Sequence, residues 1–252
     1  MKYLSIALLW GFSFSVFSAY AAEVPAQVAI SYSITSGALE GEVNDTLKIR
    51  QESGKRSYEI NSESRAKGLL ALTQPESVVR DSEGIITAQG TLRPGRFSDQ
   101  HGKKIPKIAI FDWDKKLLTL QHKRGEEQKA LPADAQDKLS VLYSFMFSPV
   151  SALPGKVIDL HETDGKHLEL AHYTVGKETL DTPMGKLETI VLTKRLENEG
   201  QRDKKIWLAV DHHMLPVRIV AAEKMGIVTD QMVTNISYAD KMSDSFKQGR
   251  LR

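Results

Sequence analysis

Apolar and polar residues alternate with period two along most of this chain. From Gln27 to Thr35, Val28, Ile30, Tyr32 and Ile34 fall on one side, with Ala29, Ser31 and Ser33 on the other. Alternation of this kind, rich in β-branched and aromatic residues, predicts a half-buried strand. Leu47 and Ile49 lead through Glu52-Ser53-Gly54-Lys55 to Tyr58 and Ile60, which predicts a hairpin. Asp81-Ser82-Glu83-Gly84 reads as a second hairpin turn, between Val78-Val79 and Ile85-Ile86. Residues 108–113 and Leu117–Leu120 flank the turn signal Asp114-Lys115-Lys116. Further strands are predicted at 166–175, 186–195, 204–210, 215–222 and 226–238; in the last, Val228, Met232, Ile236 and Tyr238 share a parity.

One segment changes period. Leu139, Leu142, Tyr143 and Met146 stand at i, i+3, i+4 and i+7, which predicts a helix over about 133–147. Asp134 and Asp137 fall in its first turns, where the helix dipole favours negative charge, and Pro149 ends it. Val141 and Phe145 are apolar on a second face, so this helix is buried on more than one side. The predicted fold is therefore mainly β: an antiparallel curved sheet, or open half-barrel, with one buried helix in its concavity.

The N-terminus breaks the alternation altogether. Lys2 precedes an uncharged run from Leu4 to Phe17, and Ala19-Tyr20-Ala21 supplies small residues at a signal peptidase site. Residues 1–21 thus read as a cleaved signal peptide, with the exported chain starting at Ala22. The run is shorter than the ~20 residues a spanning helix needs, and no later segment is long and apolar enough to span. The organisation expected is a signal at 1–21, a single β-rich domain at 22–239 and a flexible basic tail at 240–252. A candidate lobe boundary lies at 149–156, around Pro154-Gly155.

Composition narrows the function classes. The chain has no cysteine, which removes disulfides, thiolate chemistry and lipoprotein acylation. Lys and Arg number 34 against 32 Asp and Glu, without a dense basic block in the body, which argues against a nucleic-acid binder. Asp211-His212-His213 resembles a phosphoesterase triplet, but it lies between two predicted strands and reads as a hairpin tip. His161, His167 and His172 are spaced by six and five, not by the two or four that strand or helix zinc sites use. Asp137 and Ser140 lack a basic partner and read as polar groups satisfied inside the core. No catalytic, cofactor or metal residue is assigned.

The order of segments carries a resemblance. Tyr32-Ser33-Ile34 precedes Gly37-Ala38-Leu39-Glu40-Gly41 and Phe111-Asp112-Trp113. Then come Leu131-Pro132, Gln136-Asp137, Leu139-Ser140, Leu142-Tyr143 and Thr182-Pro183 with Gly185. Trp207-Leu208-Ala209 with Asp211, and Leu215-Pro216-Val217-Arg218-Ile219, close the series. Over about residues 28–238 this resembles the exported Gram-negative family called domain of unknown function 3108. The resemblance implies a periplasmic β-rich fold and carries over no catalytic residues. More distantly, the chain is similar in plan to half-barrels that carry lipoproteins or lipids across the periplasm. Three functions follow as expectations. The first is a non-enzymatic periplasmic binder or carrier of an apolar envelope component such as a lipid, lined by Trp113, Val141, Leu142, Phe145, Met146 and Trp207. The second is a structural adaptor with a filled core that meets another envelope protein. The last in rank is a metal-dependent hydrolase.

Overall fold

A computed structural model describes residues 24–68, 77–147, 154–195, 203–222 and 227–239. The signal at 1–21, the tail at 240–252 and residues 149–153 of the candidate lobe boundary lie outside the described residues. The N-terminal half supplies β1 (Gln27–Ser36), β2 (Leu39–Glu52), β3 (Lys55–Ala66), β4 (Val78–Ile86) and β5 (Leu92–His101). It continues with β6 (Lys107–Asp112), β7 (Leu117–His122) and β8 (Gly125–Ala130). After β9 (Gln136–Asp137) and a short helix α1 (Ser140–Tyr143) come β10 (Val157–Thr163), β11 (Leu168–Thr182) and β12 (Gly185–Arg195). The described strands end with β13 (Lys204–Ala209), β14 (Leu215–Ala222) and β15 (Val228–Ala239).

All fifteen strands join one sheet, which is not closed, in the order β8 to β1, then β15 down to β9. From β1 to β8 and from β10 to β15, neighbours in sequence pair antiparallel, as short turns dictate. β1 and β15 form the joint between the two halves, and β9 adds to β10 in parallel. Alternation decides which face goes inward: Val28, Ile30 and Tyr32 of β1 are buried, as are Leu47 of β2, and Tyr58 and Ile60 of β3. The sheet rolls until β9 lies beside β5, where Gln136 Nε2 donates to the Leu92 carbonyl at 2.8 Å.

The segment 131–147 plugs the concave side. Leu139, Val141, Leu142, Tyr143, Phe145 and Met146 are all buried, each contributing on the order of 1.5–3 kcal/mol by leaving water. Polar contacts fix its register on the wall. Tyr143 donates its hydroxyl to Asp45 Oδ2 at 2.6 Å on β2, and Ser82 of β4 donates to Asp137 Oδ2 at 2.6 Å.

Three sequence expectations are corrected here. The helix expected over 133–147 is only α1, followed by a 3-10 turn at Ser144–Met146. Asp137 is the reason: its Oδ1 accepts from the amides of Leu139 and Ser140 at 2.8 Å, while Ser140 Oγ accepts from its own amide. That local closure starts the helix at 140 and leaves Gln136-Asp137 extended against Glu162-Thr163. The turn expected at Asp81-Ser82-Glu83-Gly84 does not form; β4 runs straight through it, paired to β3 and β5. Ser82 is there to reach Asp137. At Gly84 a Cβ would lie 2.2 Å from the Arg93 carbonyl, so the bulge at Glu83/Gly84 needs glycine. In β15 the shared parity is split by a bulge. Val233 faces Tyr32 but Asn235 faces Ser31, so Val228 and Met232 lie on one face and Ile236 and Tyr238 on the other. The hairpins expected around 52–55 and 114–116 form, the second with Trp113 in its turn, and Asp211-His212-His213 lies in the connection between β13 and β14.

Candidate binding groove

β5 and β6 pair only over Arg96–Asp99 and Lys107–Ile110. Beyond Arg96 the strands part: Leu92, Arg93 and Pro94 stay on β4, while Phe111 and Asp112 stay on β7. Pro94 lacks an amide N–H for a further rung, and a bulge at Glu83/Gly84 lies opposite it. The space between the parted strands is a groove of about 460 Å³, open on one side. Ligand sites of small molecules span ~300–1,000 Å³.

Trp113 spans the gap. Its Nε1 donates to the Pro94 carbonyl at 2.6 Å, which satisfies an acceptor that the missing rung leaves free. Its ring stacks on Phe111 with centroids 6.2 Å apart, and the Arg93 guanidinium lies 5.1 Å from its centroid. Ile85 and Ile110, 49% and 39% exposed, line the groove, with Asp112 and Asp114 beside them. Asp112 accepts from the Lys115 amide and ammonium, both at 2.9 Å, and these bonds hold its carboxyl below the usual range. The arrangement offers stacked aromatics and branched aliphatics, with charges fixed beside them. It suits an apolar or amphiphilic guest.

The six expected lining residues are dispersed. Trp113 lines this groove. Val141, Leu142, Phe145 and Met146 are core residues of the plug, between 0% and 7% exposed. Trp207 lies on the face opposite Ile206 and Leu208, covered by Arg218 at 4.9 Å and Lys205 at 5.7 Å from its centroid. Ile85, Arg93 and Ile110 were not singled out by sequence. Their one signal is Pro94-Gly95, which interrupts the alternation where the two strands part.

The other sequence candidates separate in space. His161 lies 2.8 Å from Asp134, His167 3.4 Å from Asp164 and His172 2.7 Å from Asp159, so each pairs with its own carboxylate. Among the described residues no three of His, Asp and Glu come together to hold a metal. His212 Nδ1 lies 3.0 Å from the Tyr238 hydroxyl, and both His212 and His213 pack on that ring. Inside the plug, burial raises Asp137 to about 6, against the bonds from Ser82, Ser140 and Leu139 that favour its charge. Burial likewise raises Asp45, whose Oδ1 has no partner.

Residues 29–233 match the model of a family described as "Protein of unknown function (DUF3108)". No curated protein matches the chain. Among solved structures, the fold is similar to a β-barrel-like protein of domain of unknown function DUF1849 from Brucella abortus. That match has 9% identity and a TM-score of 0.52, and covers 86% of this chain and 99% of that one. A DUF1329 family protein from Desulfovibrio piger aligns at 13% identity and TM-score 0.28, covering 89% of this chain and 90% of that one. A putative outer membrane lipoprotein-sorting protein domain from Vibrio parahaemolyticus aligns at 6% identity and TM-score 0.20, covering 87% and 88%. Only the first of the three is near enough to speak for the fold. Among the described residues no helix is long and apolar enough to cross a membrane.

Proposed function

We propose that this chain, which belongs to the DUF3108 family, is a non-enzymatic periplasmic protein that binds or carries an apolar envelope component such as a lipid. The groove at Trp113 supports this reading. It is an aromatic-floored space of ligand size, lined by the exposed Ile85 and Ile110 with Arg93, Asp112 and Asp114 at its edge. An acyl chain laid there gains ~0.8 kcal/mol for each methylene buried. Export rests on the Lys2-to-Ala21 pattern, and intact mass of protein recovered from periplasm should begin at Ala22.

The test is native mass spectrometry of periplasmic protein, paired with fluorescence of Trp113 in a Trp207→Phe background. Long-chain fatty acid or phospholipid should add mass and shift the Trp113 emission to the blue. Ile110→Glu, an exposed site whose change leaves the core alone, should abolish both. Wild-type protein that neither retains an amphiphile nor responds to one would overturn the carrier reading. The adaptor reading would then stand, and it has its own support. Val141, Phe145 and Met146 fill the concave side with side chains, leaving outer surfaces for contact.

A further inference from the structure

At the end of β5 and β6 away from the groove, one carboxylate gathers three basic side chains. A row of positions runs straight across five strands: Asp45, Ser62, Arg80, Asp99 and Lys107. Asp99 is buried and accepts from Arg80 Nε at 2.9 Å and Lys107 Nζ at 2.7 Å, with His101 Nε2 at 3.0 Å. Burial opposes its charge, but these three neighbours hold its carboxyl far below the usual range. The basic heads are not enclosed. The side chains of Arg80, Lys107 and His101 stay 27%, 31% and 41% exposed. Among the described bonds Arg80 reaches Asp99 through Nε alone, which leaves both Nη groups for another acceptor.

Lys138 follows Asp137 of β9, whose partner on β10 is Thr163, and so lies beside the start of the β10–β11 turn. It is half-buried and makes no hydrogen bond or ion pair among the described residues. Burial disfavours its charge, as do Arg80 and Lys107, while Asp164 and Asp99 offset this in part. The β10–β11 turn lies against the cluster, pressed so close that a Cβ on Gly165 would lie 3.0 Å from Lys107 Cβ. Its amides are already used, Gly165 on Thr163 Oγ1, and Lys166 and His167 on Asp164 Oδ1. Arg80, Lys107 and Lys138 therefore face two carboxylates, Asp99 and Asp164. Asp45, at the far end of the row beyond Ser62, is pushed toward its neutral form by burial.

A half-buried ammonium with no ion pair of its own is costly, and Arg beside Lys is the donor set that oxyanions select. We propose that Lys138, Arg80 and Lys107 form a binding site for a phosphate-class oxyanion, either free phosphate or the phosphate of a lipid head group. Lys138 belongs to the plug and the other two to the wall, so the bound anion ties one to the other. Occupancy then raises the stability of the whole protein by mass action.

Thermal melts and calorimetric titrations with inorganic phosphate, against chloride at matched ionic strength and pH 7, test this. Wild-type protein should melt higher in phosphate than in chloride. Lys138→Met, which keeps the length and removes the charge, should bind at least tenfold more weakly. Lys103→Met, on the exposed β5–β6 turn, should bind as wild type does. Co-sedimentation with phosphatidic acid vesicles separates the two sources of the anion. Pelleting that inorganic phosphate competes away assigns a head group; phosphate binding without pelleting assigns the free ion. No response of the wild type beyond that to chloride overturns the site, as does equal binding by Lys138→Met. Should that variant not fold, the wild-type titration decides alone.

Discussion

Asp137 does three things with one carboxylate: it accepts two amides of the following turn, takes the Ser82 hydroxyl and sits where water does not reach. Burial outweighs the bonds and raises it to about 6 from an ordinary 3.8. The folded state therefore holds the proton more tightly than the unfolded chain. Stability contributed by the neutral acid is fully present below pH 4 and is lost as pH rises through about 6. The size is on the order of 2–3 kcal/mol. Urea midpoints of wild type and Asp137→Asn between pH 4 and 7 should differ in slope, with the variant the flatter. Parallel curves would show that Asp137 is not the group that titrates. A second contrast concerns rings. Trp207, 4% exposed under Arg218 and Lys205, should cost about 3–5 kcal/mol on change to Ala. The double change His212→Ala, His213→Ala on the surface connection should cost about 0.5 kcal/mol. Chemical denaturation of both variants checks the ranking.

Strands that face the core on one side only were legible from alternation, and β1 is the clear case. β4 was not, because its turn-like residues serve the inner wall. Ser82 supplies a hydrogen bond to the plug, and Gly84 gives room for the Arg93 carbonyl. Gly84→Ala should cost about 1–3 kcal/mol through overpacking of backbone on backbone. Gly176→Ala on β11, where the nearest atom would be the Val191 carbonyl at 3.9 Å, should be close to neutral. Urea denaturation of the pair separates the two accounts. In the plug, the periodicity of Leu139, Leu142, Tyr143 and Met146 marked burial correctly but overstated the helix. A chain that fills a concavity meets apolar walls on several sides, so its apolar positions need not trace one long helix. Of the groove, only the aromatic pair Phe111 and Trp113 was legible. Its walls depend on where β5 and β6 stop pairing, which is a property of two strands together and leaves little trace in either.

The two halves of the molecule share one sheet, and the plug of the second half is fastened in the wall of the first through Asp45, Ser82 and Leu92. Neither half is complete alone, so equilibrium unfolding should be a single transition. Trp113 reports on the first half and Trp207 on the second. Fluorescence midpoints in Trp207→Phe and Trp113→Phe should coincide once corrected for each variant's own stability by circular dichroism. Midpoints that stay apart from the dichroism curve would mean two lobes that melt separately. The β1–β15 joint also has a consequence in time. Gln27 lies opposite Ala239, so the first of the described strands borders the last of them. Until that last strand arrives, β1 offers a bare edge with Val28, Ile30 and Tyr32 uncovered on one side, open to any other chain nearby. Contacts this distant in sequence also slow the search for the native state. The vulnerable interval of this protein is thus its youth, and it lasts until β15 has appeared.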